Sequence, residues 1–139
     1  DNNKDMVYDM QVALNFDGHT GPYIQNAHVR ANSIIKKGDG IPEKANFDYP
    51  LTSHEVQLID LISRFPDTVE LAAMEYRPLI MANYAYDLAA TFHSFYHVVP
   101  VIQTEDLQVR DARLRLVAAA RQALANALRL LDIEAPEVM

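Results

Sequence analysis

Residues 18–37 read GHTGPYIQNAHVRANSIIKK. Glycines at 18 and 21 interrupt any helix arriving from the N-terminal side. Thr20 is then placed as an N-cap, and Pro22 falls in the first turn, where its missing N–H costs little. The pattern predicts a helix running to Lys37 and stopping at Gly38, with Lys36 and Lys37 in the last turn to suit the helix dipole. At about 100° per residue, Ile24, Ala27, His28, Ala31, Ile34 and Ile35 share one face, the expected core face. Tyr23, Asn26, Arg30, Ser33 and Lys37 gather on a separate arc. That arc has the chemistry for single-stranded RNA: an aromatic to stack on a base, an amide to read its edge, and cations to hold phosphate. An ordinary solvated helix face has the same composition, and the arc alone does not choose between the two.

The surrounding chain sharpens the contrast. It has 139 residues, half of them hydrophobic, and a net charge of −7. That length is one domain with enough apolar residues for a real core. Cysteine is absent, which excludes disulfides and thiolate metal sites. No apolar run approaches the roughly 20 residues that span a bilayer, and the polar start DNNKDMVYDM is not a signal peptide. A soluble, cytoplasmic protein is expected. The acidity argues against a non-specific grip on nucleic acid. Yet residues 18–38 hold Arg30, Lys36 and Lys37 and no acid, and residues 107–130 hold Arg110, Arg113, Arg115, Arg121 and Arg129 against Asp111 alone. Two basic helices on an acidic body could face one polyanion.

The remaining pattern is helical almost throughout. Met6, Met10, Ala13 and Leu14 recur at helical spacing before the Asp17–Gly21 break. Residues 38–51, GDGIPEKANFDYPL, form a loop. Thr52 to Glu55 reads as a capping box opening a helix with Val56, Ile59, Ile62 and Phe65 on its apolar stripe, ended by Pro66. Asp67 with Glu70 repeats the box and opens a short helix to Tyr76. Pro78 starts a long helix that runs to about His97 and is closed by Pro100. The last runs from about Glu105 to Leu131, with Val117, Ala120, Leu124, Ala127, Leu128 and Leu131 as its stripe. The tail DIEAPEVM is extended at Pro136. With no alternating strand run and no internal repeat, the fold expected is all-α, a bundle of about six helices.

Catalytic candidates are thin. His28 lies on the apolar face, so a buried histidine bonded to backbone is expected rather than a catalytic one. His93 and His97 sit four apart, but Ser94 stands where a zinc protease needs glutamate. They are expected at the surface or in packing, with Phe92, Phe95 and Tyr96 in the core. No carboxylate pair, phosphate loop or nucleophile elbow is present. The last-helix arginines fit either ion pairs with neighbouring acids or phosphate contact.

The opening stretch closely resembles the segment joining the catalytic core of arginyl-tRNA synthetases to their C-terminal DALR-type anticodon-binding domain. Gly18, Thr20, Gly21, Pro22, Tyr23, Gln25, Ala27, His28 and Arg30 match that family's pattern. Leu88, Phe92, Phe95 and Tyr96 match a second segment, and the end, from Arg113 to Met139, is similar to the closing helix and its Ala-Pro-x-x-Met terminus. The resemblance implies that residues 1–17 end the helical stem of the catalytic core and residues 18–139 form the anticodon-binding domain. It implies binding of arginine tRNA through Tyr23, Asn26, Ala27, Arg30, Lys37 and Met139 with its free carboxylate, with phosphate held by Lys36 and last-helix arginines. The family joins arginine to its tRNA using ATP. Its catalytic signatures are missing here, so the expectation is a fragment without active site, cofactor or metal, with ATP and magnesium acting in a catalytic domain of the same chain. A monomer without membrane contact is expected, and a non-catalytic helical protein-interaction module is the alternative. Three positions depart from the family: Asn26 where tyrosine is usual, Val138 where a basic residue is usual, and Asp132 where glycine is frequent at the end of the last helix.

Overall fold

The computed structural model describes residues 9–13, 18 and 20–139, which hold six helices and no strand. They are α1 Met10–Ala13, α2 Gly21–Lys37, α3 Ser53–Ser63, α4 Phe65–Met74, α5 Pro78–Val98 and α6 Leu107–Leu130. Met6, Leu14 and most of the expected stem, residues 1–17, lie outside the described residues.

Helix α2 forms as its sequence dictates. The Thr20 hydroxyl accepts the Tyr23 N–H at 3.3 Å, Pro22 sits in the first turn, and the Gly38 N–H reaches the carbonyls of Ile34 and Ile35. Gly38 has an ordinary φ of −90°. Glycine is needed there for space, because a Cβ would lie 2.6 Å from Leu114 Cδ2. Helix α2 packs on α6 and α5, and α3 and α4 pack on α5. Ala27 and Ala31 of α2 and Ala120 and Ala127 of α6 are fully buried. Such small side chains let helix axes approach closely. Leu88, Phe92 and Phe95 of α5 and Leu114, Val117, Leu124 and Leu128 of α6 complete the centre of the core. The α6 stripe is thus the one its spacing predicts.

Helix α3 buries a different face from the one its apolar residues suggest. Val56 and Ile59 are exposed, and the buried positions are Glu55 and Leu58. The capping box forms, with Thr52 and Glu55 reciprocally bonded. But the Glu55 carboxylate also meets Arg113 Nε at 2.9 Å and the Tyr49 hydroxyl at 2.7 Å. A buried acid with these partners turns α3 so that its stripe lies partly at the surface. Ile59, Ile62, Leu51, Phe47 and Leu116 there line an open apolar cavity of about 950 Å³ under the 38–51 loop.

Two helix starts also shift. Pro66 lies in the first turn of α4, so it opens that helix; Arg64 is the N-cap and Asp67 falls inside the first turn. Helix α6 starts at Leu107, slightly later than the expected start near Glu105, with Asp106 as its N-cap accepting from Gln108 and Val109 N–H groups. Helix α4 ends at Met74, and Tyr76 takes the left-handed position after it at φ 52°. Asp132 does the same after α6 at φ 58°, as the family's glycine there suggests.

Candidate nucleic-acid interface

Helix α2 is edged on two sides. On one side stands α5. The Tyr23 ring packs between Tyr86 and His93, with centroids 5.2 Å and 5.1 Å away. One to two turns further along, the Arg30 guanidinium lies over the Tyr96 ring at 5.3 Å. A cation on an aromatic face is held by the ring quadrupole at little desolvation cost. On the other side runs the chain after α6. Gln25 Nε2 donates to the Glu134 carbonyl at 2.8 Å, and His28 Nδ1 bonds the Pro136 carbonyl at 2.9 Å. Lys36 and Glu137 form a solvent-exposed pair at 3.9 Å. Helical geometry places Asn26, Arg30, Ser33 and Lys37 on the ridge between these two edges.

The ridge carries what RNA contact needs. Arg30 and Lys37 are exposed, and Tyr23 and Asn26 are half-buried. No residue of α2 is acidic. Tyr23 is half-buried, with Tyr86 and His93 packed on its ring to fix its orientation. Burial pushes the pKa of His93 down, Arg30 and His97 push the same way, and a hydrogen bond to the backbone of Tyr23 opposes them. His93 is therefore a neutral ring beside the cation, which leaves Arg30 free of like-charge repulsion at neutral pH.

Two expected contributors sit elsewhere. Ala27 is fully buried in the core and has no surface to offer a ligand; the ridge residues beside it carry that part of the surface. Of the last-helix arginines only Arg113 is buried, and three others hydrogen-bond to neighbouring segments at or near the surface. Arg113 is buried against Glu55, the Pro100 carbonyl and Thr104. Arg115 donates to the Glu43 carbonyl at 2.7 Å and Arg121 to Asn32 Oδ1 at 3.1 Å. Arg110 approaches the Gly38 carbonyl at 3.5 Å. They tie loops and helices together, and Arg129 in the last turn remains exposed. Met139 ends the tail, 59% exposed.

His28 has the place expected of it, buried and bonded to backbone. Burial lowers its pKa, the Pro136 carbonyl raises it, Arg121 lowers it and Glu137 raises it, with a net fall. Sequence reasoning overlooked Tyr86, and expected Tyr96 in the core, where it packs partly buried, but not its contact with Arg30. The visible signal was Tyr86, His93 and Tyr96 recurring at three- and seven-residue steps on α5, which sets them on one side of that helix. Among the described residues no group of three or more His, Asp or Glu is placed to hold a metal ion. None of their helices is long and apolar enough to cross a membrane.

The described helices, with the basic ridge of α2 backed by rings of α5 and the tail laid along α2, make an all-α helical-bundle domain. The chain belongs to the DALR anticodon-binding domain family, whose model matches residues 24–139. It is 46% identical over 142 residues to an arginine–tRNA ligase of Pyrococcus abyssi, covering 98% of this chain and 22% of that protein. It is 44% identical over 137 residues to the ligase of Shouchella clausii, covering 95% of this chain and 25% of that protein. Among solved structures it superposes on Thermus thermophilus arginyl-tRNA synthetase with a TM-score of 0.88 at 37% identity, covering 95% of this chain and 23% of that one. The chain thus spans no more than a quarter of the relatives named here.

Proposed function

We propose that this chain is the anticodon-loop-binding domain of an arginine–tRNA ligase. Its ridge of Tyr23, Asn26, Arg30 and Lys37, with Met139 at the end of the neighbouring tail, receives the anticodon loop of arginine tRNA. The carrying observation is the pair of aromatic mounts on α5: Tyr23 held by Tyr86 and His93, and Arg30 seated on Tyr96. They hold a stacking ring and a phosphate-binding cation in place before RNA arrives, which lowers the ordering cost of binding. Asn26, where relatives in the family usually have tyrosine, reads a base edge rather than stacking on it. Arginine activation and transfer, with ATP and magnesium, belong to a catalytic domain of the parent chain, because no phosphate-binding motif is present in these residues. The parent protein acts in the cytoplasm, as a monomer.

The test is a titration of arginine tRNA against wild-type, Tyr23→Ala and Arg30→Ala proteins at several salt concentrations. Loss of Tyr23 costs roughly 1–3 kcal/mol of binding if the ring stacks on a base. Loss of Arg30 flattens the dependence of log K on log salt by about one unit. Binding that is insensitive to salt, or equal for unrelated tRNAs, would remove this reading and favour a protein partner.

A further inference from the structure

The tail after α6 does not leave the domain. Asp132, at φ 58°, turns the chain, and the Ile133 N–H closes the turn on the Leu128 carbonyl at 2.9 Å. Ile133 and Ala135 then pack against the core. Between and beyond them, the carbonyls of Glu134 and Pro136 meet Gln25 and His28. The register is physical. In extended chain, residues two apart present their carbonyls to the same side, about 6.5 Å apart. Side chains three apart on a helix are neighbours on one side, about 4.5 Å apart along the axis. Pro136 fixes its own φ and has no N–H to spend on a competing bond. The anchors stop at Glu137, and Val138 and Met139 stand exposed, at 74% and 59%.

Gln25 and His28 lie on the same helix as Tyr23, Asn26, Arg30 and Lys37, which form the ridge proposed above. We propose that Gln25 and His28 are positioning residues: they clamp the tail to α2, and so set where residues 138 and 139 stand relative to the RNA-facing ridge. This rests on the reading of that ridge as an RNA site. Their contribution to RNA binding runs through the tail and not through contact with RNA. His28 is 6% exposed and is suited to this task. A carbonyl can only accept, so Nδ1 carries the hydrogen, and a buried donor whose acceptor swings away is left unpaired. The tail is thus held by a bond whose loss the core itself penalises.

The experiment uses variants of this chain: His28→Ala, His28→Asn, Gln25→Ala, a truncation after Ala135, and His28→Ala within the truncation. Asparagine keeps an N–H close to the position of Nδ1. The chain has no cysteine, so Val138→Cys takes a single trifluoromethyl label. Expected is a sharper fluorine resonance, from a freer tail, in His28→Ala and Gln25→Ala, and the wild-type line in His28→Asn. For arginine tRNA, His28→Ala and the truncation each weaken binding by about tenfold, the size of one hydrogen bond's loss. In the truncated chain, His28→Ala has no further effect. An unchanged fluorine line in both His28→Ala and Gln25→Ala overturns the clamp, and Gln25→Ala alone decides if His28→Ala does not fold. A His28→Ala loss that persists undiminished in the truncated chain overturns the route through the tail. If the line sharpens but truncation leaves tRNA affinity intact, the clamp stands and the RNA reading of the tail fails.

Discussion

The carboxylate of Glu55 and the guanidinium of Arg113 meet at 2.9 Å in the interior, Glu55 with no accessible surface. Around this pair four separate segments converge. Tyr49 from the 38–52 loop donates to Glu55, Thr52 donates from both backbone and hydroxyl, and Arg113 continues to the Pro100 carbonyl and to Thr104. Every charge is matched, which is the condition under which a buried ion pair is tolerated. The capping glutamate of α3 is therefore also the hub that joins α3, α6 and two loops.

Removing Arg113 alone leaves Glu55 buried and unpaired. Arg113→Ala is expected to destabilise the domain by roughly 3–5 kcal/mol, and Arg113→Met with Glu55→Leu to recover most of that loss. Urea unfolding of both variants checks it; equal destabilisation of the two would contradict it.

The same pair sets an acid limit. Burial raises the Glu55 pKa, but bonds from Arg113, the Thr52 backbone, Tyr49 and the Thr52 hydroxyl outweigh it and bring it to about 2 from 4.5. The folded pKa is depressed, so the stabilisation is present above pH 4.5 and lost as pH falls toward 2. Its size is on the order of 3 kcal/mol. Glu55→Gln should flatten the stability–pH curve in that window, as read from urea midpoints.

His28 and His93 act at higher pH. Both are pushed below 6.5, mainly by burial, with Arg121 adding at His28 and Arg30 and His97 at His93. Glu137 and the Pro136 carbonyl at His28, and the bond to the Tyr23 backbone at His93, only partly offset this. The unfolded chain binds protons first, so stability is full above pH 6.5 and declines as pH drops through the two folded values. Urea midpoints at pH 7.5 and 5.5 should differ in wild type and differ less in His93→Asn.

Gly38→Ala places a methyl 2.6 Å from the buried Leu114 side chain, although the backbone angle suits alanine. Overpacking of this kind costs about 1–3 kcal/mol. Thermal unfolding should show the loss, and a smaller side chain at Leu114 should reduce the penalty of the alanine.

Asp132 occupies a left-handed position and puts a negative charge at the C-terminal end of α6. Glycine removes both costs and adds back chain entropy in the unfolded state. Asp132→Gly should stabilise by about 0.5–1 kcal/mol net, measured in the same way.

Much of this architecture is legible from local chemistry. Thr20, Pro22 and Gly38 bound α2 because caps and breakers act within one turn. The α6 stripe is readable because its apolar residues keep a helical period over several turns. Helix α3 shows where that logic stops. Val56 and Ile59 have the right period, yet they lie at the surface, because the buried Glu55 is paired with Arg113, 58 residues away and outside any window around α3.

The ridge follows the same division. One helix was enough to separate Ile24, Ala27 and Ala31 from Tyr23, Asn26 and Arg30, since a helical period assigns faces without knowledge of neighbours. The family resemblance, carried by residues 18–30 and the two later segments, named the class of domain. What only the tertiary structure decided is which groups are left for a ligand. The interior took Arg113 of α6 and Ala27 of α2, hydrogen bonds tied Arg115 and Arg121 to Glu43 and Asn32, and α5 supplied the rings that hold Tyr23 and Arg30. Sequence assigns a side chain its chemistry and its face; whether a charge is spent inside or offered outside depends on partners distant in the chain, and only the fold brings them together.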